Sequence, residues 1–318
     1  MSQTPLNILQ QYWGYDRFRP LQEDIIQSVL DGKDTLALLP TGGGKSICFQ
    51  VPALAKDGIC IVVSPLIALM KDQVENLRKR NILADAIYSG MRRTDIDRIL
   101  DNCVYGKTKF LYLSPERLTT ELARTRINRM PVNLLAVDEA HCISQWGYDF
   151  RPPYLEIANI RELLPEGTPV LALTATATPE VVKDIQEKLE FKQPNVLQKS
   201  FARPNLSYSL LYEEGKDNKL VDIFRRVKGS GVVYVRNRRK TKEIARLLQR
   251  NRISADYYHA GLDSVERSKR QEAWMSGQCR VMACTNAFGM GIDKPDVRVV
   301  AHVNIEDSVF NTTSNKHL

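Results

Sequence analysis

The sequence predicts an α/β protein of two parallel sheets, each covered on both faces by helices, and three observations predict it. Short runs of apolar residues recur at 35–39, 59–63, 110–113, 134–137 and 170–173. Longer stretches with helical spacing lie among them, such as 66–80 and 179–189. A strand that is apolar at nearly every position is buried on both faces, as in a parallel sheet flanked by helices. The alternation pauses at 201–205 and again in the charged turn 213–219, then restarts. The chain therefore divides into a first domain, 1–205, and a second, 206–318.

The elements follow in order. Ile8, Leu9 and Tyr12, then Phe18, Ile25, Ile26, Val29 and Leu30, fit two helices broken at Gly14 and Pro20. Strand 35–39 runs into a glycine-rich loop, and a helix opens over 47–51. Strand 59–63 precedes helix 66–80, and strand 84–88 precedes helix 94–103. Strands 110–113, 134–137 and 170–173 follow, then helix 179–189. In the second part a helix ends near Arg226, followed by strand 231–235, helix 240–249 and strand 255–258. Helix 264–275 and strands 280–284 and 297–303 complete the plan. No internal repeat or low-complexity segment interrupts it.

Composition sets the outer limits. At 318 residues and 43% hydrophobic the chain can bury two ordinary cores, and its mean hydropathy is −0.30. No run of about 18 apolar residues occurs, and no basic segment followed by an apolar one opens the chain. The six cysteines form no C-x-x-C pair, and His141 beside Cys142 does not make a zinc site, so reduced thiols and no structural zinc are expected. The net charge of +8 is uneven: eleven Lys and Arg against Glu243 between Arg225 and Arg252 make that window +10, and the remainder carries −2. Such a region suits a polyanion, or it is a solvated helix face with a charge bias.

Ligands on open parallel sheets bind beyond the carboxyl ends of the strands. The candidate residues sit there: Thr41-Gly42-Gly43-Gly44-Lys45-Ser46, Asp138-Glu139 and Thr174-Ala175-Thr176. Strand, glycine loop, lysine, hydroxyl and helix is an arrangement that holds a nucleoside triphosphate. Glycines let backbone N–H groups curl round phosphates, and the helix start adds positive dipole. Lys45 would reach the β- and γ-phosphates and Ser46 the Mg²⁺. The usual pattern has glycine where this chain has Leu39, and a plain glycine-rich turn is the alternative. Asp138 would hold Mg²⁺, directly or through water, and Glu139 would orient and deprotonate the attacking water, the parts phosphoryl transfer needs. Two acids after a strand can also be a helix start. Gln22 has the donor and acceptor that an adenine edge matches, or it is a surface glutamine at a helix start.

These motifs resemble superfamily 2 helicases, and within them the RecQ family of DNA helicases. The resemblance rests on Phe18-Arg19-Pro20-Leu21-Gln22, the 41–46 loop, Ser64-Pro65-Leu66-Ile67-Ala68-Leu69, Ser114-Pro115-Glu116-Arg117-Leu118 and the long match from Asp138 through His141 to Pro152. Tyr258-His259-Ala260-Gly261-Leu262 and the 287–295 stretch add to it, so about residues 10–305 are covered. This superfamily uses a shortened phosphate loop, which accounts for Leu39. The resemblance implies two RecA-like lobes of the P-loop NTPase type, with ATP and Mg²⁺ in the cleft between them. It implies that Tyr15, Arg19 and Gln22 recognise adenine, and that His141, Thr174 and Thr176 couple hydrolysis to domain movement. Trp146 and Phe150 would stack on single-stranded bases, a contact of roughly 1–3 kcal/mol per base. Arg151 would pair with a phosphate or relay the nucleotide state. Arg236, Asn237 and Arg238 would grip the DNA backbone, with strong salt sensitivity, and Asp293 would lie over the nucleotide.

After Asp307-Ser308 the chain departs from the family, and no arginine follows Arg298. The second lobe is therefore expected to be truncated before the arginine-finger motif. An arginine finger is worth about 10³–10⁵ in rate, so impaired hydrolysis is expected. The function expected is an ATP-dependent helicase core moving 3′ to 5′ on single-stranded and partly duplex DNA in recombination and repair, cytoplasmic and nucleoid-associated, of prokaryotic type. The alternatives are a non-catalytic ATP- and DNA-binding fragment and an RNA helicase.

Overall fold

The computed structural model describes residues 4–303 except 41, 148, 176, 201–204, 290, 291, 293 and the side chain of Ser264. The chain divides into two compact units after residue 203. Unit one opens with α1 (Pro5–Trp13) and α2 (Gln22–Leu30). The Thr4 hydroxyl accepts from Asn7 N–H, Pro5 fills the first turn, and Gly14 at φ 70 ends α1. Seven strands follow: β1 (Thr35–Leu38), β2 (Ile59–Val63), β3 (Ala84–Ile87), β4 (Phe110–Leu113), β5 (Val132–Val137), β6 (Val170–Thr174) and β7 (Val196–Gln198). Among them run α3 (Lys45–Ala55), α4 (Ile67–Arg78), α5 (Arg93–Tyr105), α6 (Glu121–Ile127), α7 (Ala158–Arg161) and α8 (Pro179–Lys188).

All pairings are parallel, in the order β3-β4-β2-β5-β6-β1-β7. Alternation splits each central strand between two cores. Leu36, Ile61, Leu111, Leu135 and Ala172 pack on one face, and Ala37, Cys60, Tyr112, Leu134 and Leu171 on the other. Successive strand residues point to opposite faces, so two buried faces demand an unbroken apolar run. Two elements escaped the periodicity. The edge strand β7 exposes Val196 and Gln198, and α6 is only 7 residues long.

The amino end of this sheet is closed by a polar network. Asp34, 6% exposed, accepts from Arg161 Nη2 at 3.1 and 2.9 Å, from Val170 N–H at 2.9 Å and from Lys192 N–H at 3.0 Å. Asn195 Nδ2 lies 2.9 Å from Ser28 Oγ and 2.9 Å from Asp34 O. Buried polar groups need such partners, because each one left unmade costs about 1–3 kcal/mol.

Unit two holds α9 (Lys216–Arg226), β8 (Ser230–Tyr234), α10 (Arg238–Arg250), β9 (Ala255–Tyr258), α11 (Ser264–Met275), β10 (Val281–Cys284) and β11 (Val297–His302). Its strands are parallel in the order β11-β8-β10-β9. Val233 and Ala283 pack under Ile244 and Leu248 of α10, while Val232 and Met282 face Trp274 and Phe288. Helix α10 begins two residues before the expected start because Asn237 Oδ1 accepts from Lys240 N–H at 2.8 Å. All six cysteines are buried and free. No helix among the described residues is long and apolar enough to cross a membrane. The polar tail after Val303, and the truncation expected from it, lies outside the described residues.

Candidate active site

The glycine loop follows β1 directly. Gly42 and Gly44 adopt φ 74 and 75, the left-handed region that glycine enters without penalty. A Cβ on Gly43 would meet Pro40 O at 2.7 Å, so the turn leaves no room for a side chain. Helix α3 starts at Lys45, two residues earlier than expected, with Gly44 as its cap and no side-chain cap. Its first N–H groups therefore face the loop, as phosphate binding requires. Ser46 is the second residue of the helix.

The acid pair ends β5, which is separated from β1 only by β6, so three adjacent strands deliver their carboxyl ends to one place. Asp138 N–H donates to Val63 O at 2.8 Å, and Tyr154 Oη donates to Asp138 O at 2.9 Å, which fixes the turn. Glu139 sits at φ 48, left-handed backbone that costs a non-glycine residue about 1–3 kcal/mol. Its carboxylate meets Lys45, Nζ to Oε1 3.4 Å, and His141, Nδ1 to Oε2 3.3 Å. His141 Nδ1 also lies 2.9 Å from Thr174 Oγ1, tying β5 to β6. Lys45, Glu139, His141 and Thr174 thus form one connected set.

The electrostatics are those of a crowded site. Burial and the neighbouring Glu139 charge push Asp138 up to about 6, against the pull of Lys45. Burial lowers the Lys45 pKa, yet Glu139 and Asp138 outweigh it and hold the ammonium above its ordinary range. Burial keeps His141 below its usual range despite Glu139, so the imidazole is neutral at pH 7.

The residues expected to read adenine contact the loop itself. Gln22 is 3% exposed, so the surface alternative does not hold. Its Oε1 accepts from Arg19 N–H at 2.9 Å, and its Nε2 lies 3.0 Å from Gly44 O and 3.3 Å from Gly43 O. Arg19 Nη1 donates to Gly42 O. Tyr15 is 53% exposed nearby in sequence. Trp146 is 76% exposed on the loop after His141, Phe150 is half-buried, and Arg151 is held by Asp149 at 3.1 Å and Pro65 O at 3.3 Å. In unit two Arg236, Asn237 and Arg238 are exposed at the start of α10, where Asn237 spends its oxygen on the cap. Thr41, Thr176 and Asp293 lie outside the described residues. Sequence reasoning missed Tyr154, whose only signal is an aromatic in the Pro152-Pro153-Tyr154 turn just after the acid pair.

Comparison with known proteins agrees with this geometry. The DEAD/DEAH box helicase family model matches residues 19–185, and the helicase conserved C-terminal domain matches 215–318. The ATP-dependent DNA helicase RecQ of Pasteurella multocida is 40% identical over 97% of this chain and 49% of its own length. RecQ of Bacillus subtilis is 41% identical over 94% of this chain and 51% of its own. The chain thus spans about half the length of these relatives. Mycobacterium smegmatis helicase Lhr, solved with ssDNA and AMP-PNP, has the same fold at a TM-score of 0.74 and 20% identity, covering 98% of this chain and 46% of Lhr. The chain belongs to the DEAD/DEAH box helicase family of superfamily 2, on its RecQ branch.

Proposed function

We propose that this chain is the motor core of an ATP-dependent DNA helicase, turning hydrolysis into movement along single-stranded DNA and opening of adjoining duplex. The observation that carries the reading is the Lys45–Glu139 pair at 3.4 Å, which sets the phosphate-loop cation against the water-activating acid. Each engages the other until a triphosphate arrives. Phosphate oxygens then compete for the Lys45 ammonium and the uncapped N–H groups of α3, and Glu139 is released to align water and take its proton. His141, neutral and bonded to both Glu139 and Thr174, passes the change from β5 to β6. Arg19 and Gln22, already in contact with the loop carbonyls, link its shape to the bound nucleotide.

The residues present fit Mg²⁺. The Ser46 hydroxyl and the Asp138 carboxylate are hard oxygen donors, and two protein oxygens leave the other positions to phosphates and water. A crowded carboxylate pushed up to about 6 gains from a divalent cation beside it. When bound, Mg²⁺ offsets charge on the phosphates. Trp146 supplies a stacking face for bases, and the cations of α10 supply the backbone grip. Movement from 3′ to 5′ follows from family likeness alone.

ATP turnover with and without single-stranded DNA, beside Lys45→Ala, tests this. DNA should stimulate turnover, and Lys45→Ala should lower it by about 10²–10³. Equal stimulation by RNA and DNA would overturn the choice of DNA. Binding of both ligands with no turnover would reduce the chain to a non-catalytic module.

A further inference from the structure

Away from that site, unit one has a cavity of about 250 Å³ at the carboxyl end of its outermost strand, β3. Met91, Ile96, Leu100 and Leu122 give it apolar walls, and the guanidinium-bearing Arg93 and Arg117 also line it. Nothing in the proposed hydrolysis uses these residues.

Three features give the cavity a preferred ligand. Arg117 Nη2 donates to Tyr88 O at 3.1 Å, while its Nε is buried without a partner. Such a donor costs free energy unless a ligand satisfies it. Arg93 is the first residue of α5, a 13-residue helix whose start has no side-chain cap. A cation there opposes the helix dipole and strengthens the pull of the open N–H groups on an anion. Asp95 in the same turn is drawn toward Arg98 at 3.4 Å. Third, Lys71 Nζ lies 4.8 Å from the Tyr88 ring centroid, which extends the positive strip toward α4. An apolar slot with room for a single ring system, flanked by cations, matches a nucleotide better than an aliphatic side chain.

We propose that this cavity takes one unstacked base of a nucleic-acid strand, with the adjoining phosphate on Arg93 and Arg117. A base held there would fix the register of the strand on unit one, separately from the stacking face of Trp146. This second site presupposes the DNA-binding reading above, and the following experiment separates the two.

Affinity of the full chain is measured for a partial duplex with a 3′ overhang, whose junction fixes the register, while a single abasic residue is walked along the overhang. Two positions should each lose about tenfold, the scale of one bound base. Trp146→Ala should erase one loss. Met91→Trp, which fills the cavity from a loop, should erase the other with its thermal unfolding midpoint kept. Arg93 is exposed, and Arg93→Ala should lower the slope of log affinity against log salt by about 0.7–0.9. A loss that persists in Met91→Trp assigns that base elsewhere and overturns the site, leaving the cavity to a partner's apolar side chain. A flat abasic profile with tight binding removes the site and leaves the DNA reading standing, whereas no DNA binding at all overturns both.

Discussion

Two aspartates at opposite ends of the same sheet show how differently one residue type can be used. Asp34, at the amino end before β1, accepts from both a bidentate arginine and two backbone N–H groups. Asp138, at the carboxyl end after β5, accepts one backbone N–H, from Glu139 at 3.0 Å, and shares its surroundings with the Glu139 charge. The first network is complete and locks Arg161, 14% exposed at its side chain, to the strand. The second is unfinished, so its carboxylate is pushed up to about 6 and its neighbours hold one another. Completed polar networks make structure. Incomplete ones, held in place by a rigid sheet, leave capacity for a ligand.

The comparison breaks first on activity. Glu139→Gln keeps the shape but removes the base, so ATP turnover should fall by about 10²–10⁴ while the unfolding midpoint holds. A variant that turns over normally would remove Glu139 from the chemistry. Next comes stability at the other end. Asp34→Asn leaves Arg161 unpaired in a buried setting and should cost about 3–5 kcal/mol in denaturant unfolding, with the ATP turnover of the remaining folded chain kept. An effect below about 1 kcal/mol, the range of exposed pairs, would show that the network is ornamental. The smallest change expected is the stability of Asp138→Asn. Removing a crowded charge should leave the midpoint unchanged or raise it by about 1 kcal/mol at most, although turnover is lost. A loss as large as that of Asp34→Asn would erase the distinction between the two acids.

Most of the fold was legible because a parallel sheet buried on both faces has to be written as continuous apolar strands. Residues 59–63 and 110–113 read at their true limits for that reason. The exposed three-residue β7 has no such constraint and left no signal. At the site, Lys45, Ser46, Asp138 and Glu139 were legible from type and spacing. The burial of Gln22 was not, because a glutamine at a helix start reads the same whether it faces water or a loop. The unpartnered Nε of Arg117 was equally invisible, since only the packing of α5 and α6 around it excludes other donors and acceptors.

The chain by itself determined which residues face the cores, where the glycine loop turns and which acids follow β5, because these depend on neighbours close in sequence. Only the tertiary structure decided the partners: Lys45 with Glu139 across 94 positions, Asp34 with Arg161 across 127, and two arginines beside one apolar cavity. Parallel strands order themselves by crossover rather than by sequence, so a pairing between the ends of β1 and β5 exists only once β6 has been laid between them.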